Sequence, residues 1–254
     1  MKLLSYNIWN GGPERIPLIL KVIKEQSPDF LAIQEANTFF DNDNKILKQF
    51  SLELNLPYYD ISRSNENYHV ASFSKIPFKK VNKLPNFRNA CLETITETDL
   101  GELSICNTHL HPFFEEKALV EIKKVIEVQR NHKNNIILGD LNSLSPEDNY
   151  SISIIDQLNE VLSKKFTDKG KIRYKVISSL LSNNYIDVAV QLQKNKINTV
   201  PTKINFDPAH MALLRLDDIF VSELLASRLK SFDVIKSEDS DQASDHFPVT
   251  ATLQ

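Results

Sequence analysis

The sequence predicts an α/β fold with mixed sheets. Three observations carry that prediction: helical and strand-like apolar patterns alternate from the first residues, the middle of the chain turns to hairpin-linked strands, and several apolar runs stop at a polar side chain. Residues 2–8 form a short apolar run of buried-strand length, broken by Gly11-Gly12-Pro13. Ile16, Ile19, Leu20 and Ile23 then recur at helical spacing until Ser27-Pro28. Residues 30–34 read as a second buried strand, and Ile46, Leu47, Phe50 and Leu54 as one helix face closed off by Pro57.

Residues 68–107 change to a strand pattern, with turns at Lys75-Ile76-Pro77 and Asp99-Leu100-Gly101, so antiparallel hairpins are expected. Ala118, Leu119, Ile122, Val125 and Ile126 restore helical spacing before a strand at 135–138. Residues 151–162 and 175–181 read as helices, and 214–221, 229–235 and 247–253 as closing strands. No linker, repeat or low-complexity block divides the chain, so one domain over residues 1–254 is expected.

Composition narrows the function. With 254 residues and 41% hydrophobic content the chain can fill a sizeable core, and an ordered chain is expected. A formal charge of -3 gives no global basic field to gather nucleic acid, so any such substrate must be gripped locally. Cys91 and Cys106 lack the spacing of a zinc knuckle or a redox dithiol. The segment from Met1 to Asn7 reaches polar residues too soon for a signal peptide, and no stretch has the length of a membrane span. A cytoplasmic protein without stable membrane association is expected. Leu224-Leu225 and Phe113-Phe114 are the candidate exposed apolar spots, ordinary for a monomer.

Chemistry gathers where apolar runs stop. Asn7 follows the first, Glu35 the second, His109 follows Ile105-Cys106-Asn107-Thr108, and Asp140 and Asn142 follow Ile136-Ile137-Leu138-Gly139. In α/β sheets strand ends are where distant segments converge, so one site can collect all of these. A single Asn or Asp after a strand is ordinarily a turn former. A charge directly after a continuous apolar run, as at Glu35, is harder to explain that way. Near the end of the chain Asp245-His246 adds a carboxylate beside an imidazole, and with Asp140 and Asn142 these groups suit metal-assisted attack on phosphorus.

The segments Ser5-Tyr6-Asn7-Ile8, Leu31-Ala32-Ile33-Gln34-Glu35, Asn107-Thr108-His109-Leu110, Gly139-Asp140-Leu141-Asn142, Arg215-Leu216-Asp217-Asp218-Ile219-Phe220 and Ser244-Asp245-His246-Phe247-Pro248 resemble, in order, the motifs of the endonuclease/exonuclease/phosphatase superfamily, the deoxyribonuclease I-like proteins. The resemblance spans nearly the whole chain, with residues 70–77 similar to the family's central strand and turn. It implies a four-layer α/β/β/α sandwich with two mixed β-sheets and a divalent metal, Mg2+ or alternatively Mn2+, at one end. It also implies roles. Glu35 would be the principal metal ligand, with Asn7 beside it and Asp245 holding the metal or its waters. His246 would act with Asp217 behind it, His109 would face the phosphate, Asp140 would orient or deprotonate the attacking water, and Asn142 would donate to the developing oxyanion. Magnesium's preference for one or two carboxylates among hard oxygen ligands agrees with this set.

The chain departs from the family's usual pattern in places. Asn107-Thr108-His109 is similar to the histidine-bearing branches and unlike the abasic-site endonucleases. Asp218 stands where Tyr is common, leaving Asp217 and Asp218 as rival partners of the histidine, with Asp217 favoured. His69 and His111 read as surface or loop residues, Glu115-Glu116-Lys117 as a solvated helix start, and Arg88 as a strand-edge residue with the alternative of reaching a substrate phosphate. The acidic run Glu238-Asp239-Ser240-Asp241, just before Asp245, would disfavour long duplex DNA.

The expected activity is therefore divalent-metal-dependent hydrolysis of phosphoester bonds, as a phosphodiesterase, nuclease or DNA-end-processing enzyme, with a phosphoester substrate and nucleic acid as the leading class. A phosphatase or phospholipid-type phosphodiesterase of the same fold is the alternative. A catalytically inactive binding module ranks lower, because no metal carboxylate or histidine of the pattern is missing.

Overall fold

A computed structural model describes residues 1–156, 158–205 and 212–254. The first half runs β1 (Lys2–Asn7), α1 (Ile16–Gln26), β2 (Phe30–Gln34), α2 (Asp41–Leu54), β3 (Tyr58–Ser62), β4 (Val70–Ser74), β5 (Phe78–Lys83), β6 (Ala90–Thr98), β7 (Gly101–His109) and α3 (Glu115–Gln129). There follow β8 (Asn134–Asp140), α4 (Ile152–Ile155), α5 (Glu160–Phe166), β9 (Thr167–Asp168), β10 (Lys171–Ile172), α6 (Lys175–Leu181), β11 (Tyr185–Asp187) and α7 (Val188–Gln191). The chain closes with β12 (Asp217–Ser222), α8 (Glu223–Ala226), β13 (Leu229–Val234), α9 (Glu238–Ala243) and β14 (Val249–Leu253).

Two six-stranded mixed sheets result, ordered β13-β14-β1-β2-β4-β3 and β11-β12-β8-β7-β6-β5. In each, one parallel pair, β1 with β2 and β7 with β8, sits among antiparallel neighbours. Strand alternation sorts the apolar side chains into layers. Leu4, Tyr6, Leu31 and Ile33 pack outward on α1 and α2, while Leu3, Phe30, Ala32, Ile105, Ile136 and Leu138 meet between the sheets. Cys106, Ile137 and Phe220 face α3 and α6. The architecture is the α/β/β/α sandwich.

Several expectations need correction. Residues 151–162 do not form one helix: α4 stops at Ile155, and the Asn159 Oδ1 accepts the Leu162 N–H at 2.9 Å, an N-cap that starts α5 afresh. Residue 157 of that predicted helix lies outside the described residues. The strand expected from 214 begins at Asp217, because Leu214 instead bridges Val200. In α2, Asn42, Asp43 and Asn44 hold positive φ, so the regular helix starts only after them. The acidic run near the carboxyl end is α9, capped by Ser237 and placing its carboxylates at a helix N-terminus, where the dipole favours them. Lys21 and Lys203 pair with Asp239 and Asp241, which weakens the repulsion that the run alone implies. Glu115 is buried, accepting the Lys175 N–H at 2.8 Å, so the start of α3 is not merely solvated.

One backbone position governs how closely β7 and β8 approach. Gly139 has φ +147°, and a Cβ there would lie 1.9 Å from the Thr108 carbonyl oxygen of its register partner. Gly139→Ala is expected to destabilise the protein by roughly 2–4 kcal/mol or prevent folding, as checked by urea unfolding, because the clash is with backbone and cannot be relieved by a rotamer change.

Candidate active site

The site lies where the two parallel pairs end. Asn7 registers with Gln34, and Glu35 follows at once; His109 registers with Asp140. The antiparallel neighbours begin at the same edge, with Asp217 opposite Asp140 and His246 just before β14. All eight predicted site residues are thus delivered to one end of the sandwich, seven of them linked by the contacts below. One step deeper, Gln34 Nε2 donates to Asn107 Oδ1 at 2.8 Å across the sheet interface. The Asn107 Nδ2 in turn donates to the Ala71 carbonyl at 2.9 Å and the Ile33 carbonyl at 3.2 Å.

Asp140 is the hub. Its Oδ2 accepts from Asn7 Nδ2 at 3.0 Å and lies 3.4 Å from His109 Nε2 and 3.9 Å from His246 Nε2. Its Oδ1 accepts the Asn142 N–H at 2.9 Å. Asn7 Nδ2 also donates to Glu35 Oε1 at 3.2 Å, while Glu35 Oε2 accepts the Asn10 N–H at 2.7 Å. His246 Nδ1 is 2.7 Å from Asp217 Oδ2. Asp218 points to the other face and pairs with Arg215, so the rivalry between the two carboxylates resolves to Asp217. Ser244 Oγ donates to the Asn7 carbonyl at 2.7 Å and lies 3.3 Å from Asp245 Oδ1. Glu35 holds positive φ, at 59°, a backbone state uncommon for a glutamate and frequent at functional sites, and Asn142 holds 49°, which asparagine adopts more readily.

The two histidines are shifted in opposite directions. For His246 burial opposes protonation, but Asp217, Asp140 and Asp245 together outweigh it and raise its value well above the ordinary one. His109 is lowered, since burial outweighs the pull of Asp140 and Glu35. Burial would raise Asp140, yet His246, His109 and Lys165 hold it below the usual carboxylate range. Burial raises Glu35, and the charge of Asp245 raises it further. Two mutually unfavourable carboxylates with an amide between strand ends form a hard oxygen set that a divalent cation would relieve. Asp140, Asp217 and His246 also offer ligand atoms within 4.8 Å of one another. That trio suits a cation less well, because Asp217 Oδ2 is already engaged by the imidazole.

A cavity of about 180 Å³ opens onto Glu35, His109, Asp140 and His246, with Tyr68 and Arg88 also in its walls. Arg88 lies 5.2 Å over the Phe113 ring, and Phe113 is 41% exposed. His69 and His111 are buried, contrary to expectation. His69 Nδ1 accepts from the Ser64 N–H and its ring abuts Phe40, while His111 Nδ1 accepts from the Phe113 and Phe114 N–H groups ahead of α3. The sequence also gives no sign of two further groups. Arg15 donates to the Trp9 carbonyl at 2.6 Å and to the Ala243 carbonyl, tying the loop after β1 to α9. Lys165 donates to Asn142 Oδ1 at 2.7 Å.

A family model described as Endonuclease/Exonuclease/phosphatase family matches residues 4–246. No curated protein matches the sequence. Among solved structures the chain is similar to an AP endonuclease from Archaeoglobus fulgidus, at 19% identity and TM-score 0.74, covering 100% of this chain and 99% of that one. It is also similar to a 3'-5' exonuclease from Neisseria meningitidis, at 20% identity and TM-score 0.69 with both chains covered completely. A 3' phosphatase from Neisseria, bound to product DNA hairpin, gives 19% identity and TM-score 0.68 over 100% of this chain and 99% of that one.

The His246 ring is expected to titrate well above an ordinary histidine, and Asp217→Asn to bring it down, as ring nitrogen shifts across pH will read. Since its folded value exceeds its unfolded value of about 6.5, the stability it contributes is fully present below the unfolded value and is lost as pH rises through the folded one.

Proposed function

Because the chain belongs to the endonuclease/exonuclease/phosphatase family, we propose that it is a divalent-metal-dependent phosphodiesterase that cleaves nucleic acid by direct attack of water. The observation that carries this reading is the convergence of Asn7, His109, Asn142 and His246 on the two oxygens of Asp140. Glu35, Asn7 and Asp245 would hold the magnesium ion. Bound there, it would screen the charge of the phosphate and of the leaving oxygen.

The remaining chemistry belongs to the chain's own side chains. Asp140 is kept ionised and accepts a hydrogen bond from the attacking water, orienting it and receiving its proton as the bond to phosphorus forms. His246 stays protonated on Asp217 and faces the phosphate oxygens, where a positive charge lowers the barrier most. His109, neutral and buried, holds Asp140 from the other side. Asn142, fixed by its backbone bond to Asp140, donates its amide toward the developing oxyanion.

Nucleic acid is supported by the cleft wall. Phe113 offers an exposed ring on which a base can stack, and the Arg88 guanidinium beside it matches the geometry of a phosphate. The similar structures include an AP endonuclease, a 3'-5' exonuclease and a 3' phosphatase with product DNA, all consistent with that substrate class.

Release of nitrophenol from bis-(p-nitrophenyl) phosphate is expected to require Mg2+ and to fall roughly 10²- to 10⁴-fold in Glu35→Ala and His246→Ala. Metal-independent turnover, or full activity in both variants, would contradict the assignment. A panel of DNA, RNA, nucleotide and lipid phosphoesters then identifies the substrate, with DNA or RNA expected to give the highest kcat/KM.

Arg88→Ala is expected to raise KM for an oligonucleotide about tenfold while leaving KM for bis-(p-nitrophenyl) phosphate nearly unchanged, which steady-state kinetics on the two substrates will separate.

A further inference from the structure

Lys164 and Lys165 are neighbours on α5, and only one behaves as a surface lysine. The Lys164 side chain is 74% exposed and pairs with Glu160 at 2.6 Å, one helical turn away. Lys165 is 7% exposed. Its Nζ donates to Asn142 Oδ1 at 2.7 Å and lies 4.5 Å from the Phe166 ring centroid. Among the described residues no carboxylate comes within 4.0 Å of it. The chain has therefore buried an ammonium group with an amide oxygen as its close polar partner.

That arrangement is costly unless an anion completes it. A buried charge without a counter-ion loses far more solvation than one amide hydrogen bond returns. Burial accordingly pulls the Lys165 ammonium down to about 7, with the more distant Asp140 alone among the described residues opposing the shift. An ammonium has three donors, and Asn142 takes one. The position supplies the rest of the argument: Lys165 lines a cavity of about 190 Å³ together with Asn142, Asp245 and His246.

We propose that Lys165 and Asn142 form a phosphate-binding subsite, the Lys165 ammonium contacting a non-bridging oxygen of the scissile phosphate and fixing the Asn142 amide that faces the same group. This rests on the phosphodiesterase reading for the identity of the anion. The Asn142 amide is held at both ends, its Oδ1 by Lys165 and its Nδ2 by the Leu110 carbonyl at 3.3 Å. One Nδ2 hydrogen remains to meet the substrate. The ammonium is thus both a charge for the phosphate and the clamp that sets which way Asn142 points.

The test uses the full chain, first stripped of metal with EDTA and titrated with inorganic phosphate by calorimetry, then loaded with Mg2+ and assayed on bis-(p-nitrophenyl) phosphate. Lys165→Met removes charge and donor; Lys165→Gln keeps a donor for Asn142 without the charge. Both variants are expected to bind phosphate at least about tenfold more weakly than the parent and to lose roughly 10²-fold in kcat. Both should match or exceed the parent's Tm, since an unpaired buried charge has been removed. Lys165→Gln matching the parent in phosphate affinity and kcat while Lys165→Met fails would reduce Lys165 to a clamp and overturn the subsite. So would parent-like affinity in both variants, a parent that binds no phosphate, or a large fall in Tm in both. Phosphate binding that depends on Lys165, with no phosphoester turnover in any form, would support the subsite and remove the phosphodiesterase reading instead.

Discussion

The hydrogen bond between Gln34 and Asn107 joins the two sheets just beneath the site, and the arrangement above it depends on that join. Gln34 directly precedes Glu35, and Asn107 lies two residues before His109 on the same strand face. Asn107 pairs in register with Leu138, two residues before Asp140. The buried amides therefore fix the level of β2 against β7 and, through β7, of β8. Without that reference, apolar packing between the sheets would tolerate sliding, because hydrophobic contact is non-directional. Here Gln34 donates to Asn107 and to Ser5 Oγ, and Asn107 donates to two backbone carbonyls and to Ser72, so a shift of either sheet would strand several buried polar groups.

Satisfied and unsatisfied buried charge lie side by side. Arg215 is almost wholly buried and meets Asp187 at 2.7 Å, Asp148 at 3.0 Å, and Asp218. That cluster is closed: three carboxylates surround one guanidinium, and the fork geometry uses its donors fully. One residue along, Asp217 faces the site, and among the described residues neither its Oδ1 nor His109 Nδ1 has a hydrogen-bond partner. Lys165 lacks a counter-ion among the described residues. Incomplete satisfaction is costly in a core and useful in a cleft, where a bound anion or cation can complete it.

Much of this was legible in the sequence. The strand runs at 2–8, 30–34 and 135–138 show their buried character by unbroken apolar composition, and the polar residues that end them are the groups that meet at Asp140. The ordered motifs identified the family and the sandwich. What escaped was set by tertiary contact. Lys165 looks like half of an ordinary lysine pair, and only the folding of α5 against the β8 exit buries it. Arg15 has no local signal because its acceptors, Trp9 and Ala243, are far apart in sequence. His69 and His111 read as loop residues, which they are, but backbone N–H groups of their own loops need their ring nitrogens, so they are buried. The short helices after β8 escaped because an Asn cap interrupts an apolar pattern that periodicity alone joins.

The most direct measurement of the central claim, that cross-sheet amide pairing sets the geometry of the proposed phosphoester-hydrolysing site, is the Mg2+-supported kcat of Asn107→Leu on a protein shown by unfolding to be folded. Leucine has the branched shape of asparagine and keeps the layer filled, while removing every hydrogen bond that fixes its level. The account predicts a fall of at least about tenfold in kcat, from misplacement of His109 and Asp140 relative to Glu35, with a smaller change in KM. Parent-like kcat in folded Asn107→Leu would contradict it.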